Sequence, residues 1–304
     1  MELPNNLKVL YRHWRFHVAD ASYKPSVRSI FKSSVYKKKV EKFVHERLRI
    51  WEQKYLGKAK PYTNDKILAS FRFCNIYREF DRQTIEFHTL LNPIRDDFPL
   101  WLLNMFYFRL VANTETVKKL GLLSFDQKEN VKFYKAFMKL PSPKFGVPYV
   151  FPVSVIMRSK YPTRELFISY YLPSIMKQVA SEIQAWKHVS VCNGMKKVIP
   201  LFGFKLNFLW NEVLIDVAYQ YPEYIDLFKE FPVGPGSLPT MKHINPNIEP
   251  QILASELAKE SIQSGITFNN KPLRLSSENW EGIGCEFRKY TNLSLGKGRR
   301  RVYP

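Results

Sequence analysis

Twelve glycines in 304 residues leave this chain few places to turn tightly. That is roughly half the usual share of about 7%, and it argues against sandwiches, propellers and nucleotide folds built on glycine-rich turns. Apolar residues instead recur with helical periodicity, predicting helices over 37–56, 64–82, 98–113, 125–139, 163–186, 204–220, 249–264 and 276–290. Pro173 is expected to kink or split the 163–186 segment. The β-branched, proline-punctuated stretch 146–158 reads as a short ribbon or extended loop. Prolines and glycines between Pro232 and Pro246 mark a second break. With no repeat or obvious linker, the expectation is a mostly α single domain. Residues 1–60 form a basic, aromatic-rich N-terminal extension of it, and residues 61–304 a helical catalytic domain. A chain that is 45% hydrophobic and 15% aromatic is not a disordered basic tail.

Charge is concentrated at both ends. The formal net charge is +20, and residues 1–60 hold 15 Lys+Arg against 5 Asp+Glu. Residues 285–304 hold 6 against 1. Terminal basic regions around a near-neutral centre suit a polyanion, and Tyr11, Trp14, Phe16, Tyr23, Phe31 and Tyr36 are interleaved with the first of them. The tail residues Lys297, Arg299 and Arg300 are candidate phosphate ligands. The plainer alternative is a solvated helical face followed by a frayed tail. No stretch reads as a secretory leader or membrane span, since Asn104 and Arg109 interrupt the most apolar run.

Four segments carry candidate chemistry. In FRFCNIYREFDRQT (71–84), helical spacing puts Arg72, Asn75, Glu79 and Arg82 on one flank of an apolar stripe, with Arg78 and Asp81 further round. Such an arginine row suits phosphate oxygens; equally, it suits a surface helix stitched by Glu79 and Asp81. In 203–221 the helix is apolar nearly all round, so Glu212 and Asp216 lie on a buried face. Asp216, with Glu212 beside it, is then either a general base or the partner of an arginine from the 72–82 face. Gly234-Pro235-Gly236 resembles a DNA-gripping hairpin, with a plain turn as the alternative. The C-terminal Cys285 has basic neighbours but no evident base, which favours a packing role.

Three cysteines without a C-x-x-C pair exclude a disulfide scaffold and fit a reducing compartment. His13 and His17 stand four apart with Asp20 following, so a helix there would present three ligands on one side. The basic flanks repel a cation, and neither a metal nor another cofactor is expected. No Walker loop and no G-x-S-x-G occurs, which sets aside ATP-driven phosphorylation and an α/β-hydrolase triad.

Taken in order, RFCNIYREFDRQT (72–84), FLWNEVLIDVAY (208–219), GPG (234–236) and CEFRKY (285–290) resemble the α-glutamyl/putrescinyl-thymine pyrophosphorylase family of amino acid:DNA transferases, related to the helical domain of 5-hydroxymethyl-deoxyuridine DNA kinases. The resemblance spans about residues 63–304. It implies a helix-hairpin-helix, DNA-glycosylase-like fold acting on double-stranded phage-type DNA. A separate base kinase pyrophosphorylates a hydroxymethyluracil, and the family enzyme displaces the pyrophosphate with an amino acid or polyamine. A bacterial cytoplasm, the host's during infection, is the implied setting.

Arg72, Asn75, Arg78, Asp81, Arg82, Asp216, Glu286 and Lys289 match the family pattern. The sequence departs from it at Glu212 (Gln expected), Gly282 and Gly284 (Asn and Leu) and Arg288 (Asp). The expected catalytic residues are Asp216 as base with Arg78, Arg82 and Asn75. Arg72, Asp81, Glu212, Glu286, Lys289 and Tyr290 are expected on the substrate, and Gly234 and Gly236 on DNA. The rivals are a glycosylase excising a modified thymine, and a non-catalytic DNA-binding subunit of a base-modification kinase.

Overall fold

Helices carry almost all of the architecture. A computed structural model describes residues 1–19, 23–146, 153–260 and 264–297. In chain order the helices are α1 (Asn5–Leu10), α2 (Ser34–Tyr55), α3 (Lys66–Ser70), α4 (Arg82–Leu91), α5 (Phe98–Val111), α6 (Thr114–Leu120) and α7 (Gln127–Lys139). Then follow α8 (Arg164–Leu166), α9 (Leu172–Gln184), α10 (Val191–Phe202), α11 (Asn207–Gln220), α12 (Leu238–Ile244), α13 (Pro250–Lys259) and α14 (Ser277–Ser294). Single-turn 3-10 segments stand at His13–His17 and Arg78–Phe80. One antiparallel hairpin pairs β1 (Thr267–Phe268) with β2 (Lys271–Pro272). Its turn is Asn269-Asn270, both left-handed at φ 51° and 62°, a conformation asparagine tolerates.

The chain divides into two compact units, one of Met1–Asp81 with Leu227–Pro304 and one of Arg82–Asp226. In the first, the terminal unit, the described residues of 1–60 pack against later segments of the chain. The Leu3 amide donates to the Thr267 carbonyl at 2.7 Å, and Val18 bridges Leu273. Leu3, Leu7, Tyr11 and Trp14 are buried, with Trp14 packed against Tyr77 and Phe80. Trp51 of α2 stacks on Phe80, ring centroids 3.9 Å apart. The aromatics of this stretch therefore build a core before they serve any ligand.

The second, central unit is organised by α5 and α11, both apolar on nearly every side and buried along most of their lengths. Pro173 enters as expected: the helix passes through a π-turn at Phe167–Tyr171, and α9 restarts at Leu172 with the proline in its first turn. Of the 146–158 stretch, residues 147–152 lie outside the described residues, and Val153–Val155 is a short 3-10 turn.

The expected helix over 64–82 is not formed. After α3 ends at Ser70 the chain runs extended to Tyr77. Its backbone bonds go to distant side chains instead of to the next helical turn. Arg47 Nη2 donates to the Phe73 and Cys74 carbonyls at 3.1 and 3.0 Å, the Cys74 amide donates to Glu286 at 3.2 Å, and Lys289 donates to the Arg72 carbonyl. Aromatic and β-branched residues have little helical preference to set against these bonds. The predicted arginine row therefore does not exist as a helix face.

Among the described residues, no helix is long and apolar enough to cross a membrane.

Candidate functional site

α14 is the rod on which the terminal unit's candidate site is assembled. It starts from a capping box: the Asn279 amide donates to Ser276 Oγ at 3.3 Å, and the Ser276 amide to Asn279 Oδ1 at 3.0 Å. Three faces of the helix then meet three different segments.

The first face, Glu281, Gly284, Cys285 and Arg288, meets the Gly-Pro-Gly turn. Glu281 accepts from the Gly234 amide at 3.2 Å, and Arg288 Nη1 donates to the Pro235 carbonyl at 2.8 Å. Thr240 Oγ1 donates to the Gly284 carbonyl at 2.7 Å. A Cβ on Gly236 would lie 2.7 Å from Cys285 Sγ, and one on Gly284 only 2.0 Å from Ser237 Oγ. Close packing therefore accounts for these glycines. The Gly234 amide, expected on a DNA phosphate, is already held by a carboxylate. The turn leads into the short α12 and not directly into the helix near 249. The leucine that the resemblance leads one to expect at 284 has no room beside Ser237.

The second face, Glu286 and Lys289, meets the extended segment 72–75. Glu286 holds the Cys74 amide and lies 3.6 Å from Lys289 Nζ. The same ammonium sits over the Phe73 ring at 4.7 Å. Just beyond, Asn75 Nδ2 donates to Asp81 Oδ1 at 2.7 Å, fixing the direction of that carboxylate. Arg72 is exposed, and Arg78 and Asp81 are half-buried. Burial, aided by Glu286 and Glu281, pushes the Cys285 thiol up to about 11, so it is a packing thiol and not an activated nucleophile.

The third face, Phe287, Tyr290, Thr291 and Ser294, lines a groove of about 860 Å³ against α2 and α3. Lys39, Lys42 and Arg49 supply cations, and Phe43 an aromatic wall. Tyr290 lies 5.3 Å from Phe43 between ring centroids, and its hydroxyl donates to Asp65 at 2.7 Å. Burial and the Asp65 charge hold that phenol up to about 12, so it remains a donor. Arg49 grips Glu46 with bonds of 2.6 and 3.0 Å, which lowers the Glu46 carboxyl below its ordinary range. The groove has the size of a small-ligand site and pairs cations with stacking surfaces.

The remaining expected residues are placed otherwise. Asp216 is fully buried in the central unit, taking Arg109 Nε and Nη2 at 2.6 and 2.7 Å and His88 Nε2 at 3.0 Å. Gln220 Nε2 lies 2.9 Å from the other His88 nitrogen, and Arg109 also reaches Thr84 Oγ1 at 3.2 Å. The buried-pair alternative therefore stands, with Arg109 as the partner and not an arginine of 72–82. The base assignment is corrected, because a sealed carboxylate bonded on both oxygens cannot meet a substrate amine. Glu212 neighbours it on α11 and is also buried. Arg82 opens α4, highly exposed, 3.5 Å from Glu86. Lys297 is exposed, while Arg299 and Arg300 lie outside the described residues. Sequence reasoning does not single out Lys39, Lys42 and Arg49; their clustering within a basic amphipathic helix is the signal that could have found them.

Three comparisons with known proteins bear on this site. One relative, a protein named 5-hmdU DNA kinase from Bacillus phage SP10, is 32% identical over 83 residues, 26% of this chain and 13% of that protein. The match thus spans a small part of a much longer relative. No solved structure matches significantly. The family described as 5-hmdU DNA kinase, helical domain, matches residues 34–299, from the first turn of α2 to beyond α14. The chain belongs to the 5-hmdU DNA kinase helical-domain family.

Proposed function

We propose that this chain acts on a modified thymine in double-stranded DNA, replacing the pyrophosphate of a 5-pyrophosphoryloxymethyl-uracil with an amine. The observation that supports this reading is the convergence, along α14, of the 72–81, 234–236 and 285–290 segments beside a cationic, aromatic groove. In the reaction the amine nitrogen attacks the exocyclic methylene carbon. A C–N bond forms as the C–O bond breaks, pyrophosphate leaves with the bonding electrons, and the amine gives up one proton. Asp81, oriented by Asn75, takes over the role of base from Asp216. Exposed Arg72 and neighbouring Lys289 are placed to receive the leaving charge. The groove of α2 and α14 holds the backbone, or the base once it leaves the stack.

The test is nucleoside mass spectrometry on a duplex carrying the pyrophosphorylated base, incubated with the chain and a panel of amino acids and polyamines. An intact nucleoside bearing the amine is expected, with Asp81→Asn slower by ~10²–10⁴-fold. Abasic sites would establish the glycosylase instead. An unchanged base with tight DNA binding would establish a non-catalytic helical module that serves a kinase. The family, described as the helical domain of a 5-hmdU DNA kinase, favours this last alternative over the glycosylase.

A further inference from the structure

Deep in the terminal unit, two 3-10 turns bring together a set of groups that the α14 site does not use. The turn at His13–His17 supplies two imidazoles, and the turn at Arg78–Phe80 supplies the Glu79 carboxylate. One ligand atom from each lies within 4.8 Å of the others, and all three residues are at most 2% exposed. We propose that His13, His17 and Glu79 form a structural site for a divalent transition metal, zinc above all.

The donor set is two nitrogens and one oxygen, which suits zinc better than magnesium or calcium. Zinc bonds of about 2.0–2.1 Å in tetrahedral geometry put donor atoms roughly 3.3 Å apart. His13 Nε2 and Glu79 Oε1 are 2.7 Å apart and need only separate slightly; His17 closes the triangle by a small ring movement. His17 Nδ1 faces the Arg274 carbonyl at 3.4 Å, the outer-shell partner a ligating imidazole commonly has, which leaves Nε2 for the metal. Tyr77 donates to the same carbonyl at 2.9 Å, and Tyr11 to the Glu79 carbonyl at 2.8 Å, so both turns are pinned from outside the cluster.

The Arg274 guanidinium donates to the Tyr23 and Lys259 carbonyls, and the rings of Tyr11, Trp14, Tyr77 and Phe228 pack on the two imidazoles. Three protein donors leave the fourth position to water, as in an open site, but the burial of all three residues keeps a substrate out and assigns the ion a structural role. Its effect is to tie the N-terminal turn to the segment that carries Asn75 and Asp81. His13 and His17 precede the 34–299 family match, and Glu79 lies within it.

The test begins with metal analysis of the full chain, purified on a cleavable tag that contains no histidine. About one zinc per chain is expected, with a melting temperature that drops on chelation and recovers on zinc. Cobalt(II) added to the chelated protein should give the intense visible absorption of a four-coordinate site. Glu79→Gln and His17→Gln should abolish that absorption. Should either variant fail to fold, the wild-type metal content and cobalt spectrum decide alone. Less than about a tenth of an equivalent of metal after zinc-supplemented growth, with no cobalt spectrum, would overturn the site and leave a His13–Glu79 ion pair.

Discussion

Asp216→Asn separates fold from chemistry more sharply than any other substitution. In the wild type both carboxylate oxygens are used: Oδ2 by Arg109 Nε at 2.6 Å, Oδ1 by Arg109 Nη2 at 2.7 Å and by His88 at 3.0 Å. Asparagine keeps one acceptor but turns an NH₂ towards a guanidinium that is 1% exposed. Thr84 Oγ1 at 3.2 Å and the Phe87 ring at 5.4 Å also touch Arg109, and neither carries a negative charge. Removing one member of a buried ion pair costs about 3–5 kcal/mol, and that is the expected loss. Replacing both members with apolar residues of similar volume, Asp216→Leu with Arg109→Met, should recover much of it. Urea unfolding followed by circular dichroism reads these effects, with tryptophan fluorescence as a second probe because two units can unfold separately. A variant as stable as the wild type yet inactive would refute the structural reading and restore Asp216 as the base.

The other predictions concern the terminal unit. Gly284→Ala puts a methyl 2.0 Å from Ser237 Oγ and is expected to cost about 1–3 kcal/mol, relieved by Ser237→Gly; an unchanged melting temperature would mean the two helices part freely there. Lys39→Ala with Lys42→Ala should flatten the salt dependence of DNA binding by ~0.9 in log–log slope for each phosphate no longer neutralised. An unchanged slope would place the DNA elsewhere. The Glu46 carboxyl is held below its ordinary 4.5, chiefly by Arg49. Its contribution to stability is therefore present above about pH 4.5 and lost as pH falls through the lowered value. Glu46→Gln should be less stable than wild type at neutral pH, and the difference should shrink in acid; a difference that persists at low pH would contradict this.

Some of this is legible in the sequence because it is local. The all-round apolar run at 208–219 dictates a buried helix, and the paired carboxylates follow from it. The segment at 71–84 misleads for an equally physical reason. Phe73, Ile76 and Phe80 fall at helical spacing, yet the backbone is claimed by Arg47, Glu286 and Lys289, the last two more than 200 residues away along the chain. No local pattern encodes such bonds. α12 hides between prolines because it has only seven residues, and the β-hairpin because each strand has two, although Asn269-Asn270 is a readable turn. The His13 and His17 spacing is visible, whereas Glu79, folded in from a later turn, is not. Likewise the basic charge of α2 can be counted, but not the aromatic face of α14 laid against it.

The central claim is that modified DNA is handled by the α14 face of the terminal unit. Photo-crosslinking tests it most directly, using a duplex with a halogenated uracil at the target position and peptide mapping of the adducts by mass spectrometry. Adducts are expected on peptides from 39–49, 72–81 and 286–294, and they should fall when Lys39 and Lys42 are replaced by alanine. Adducts confined to peptides of the central unit, unaffected by those replacements, would contradict the account.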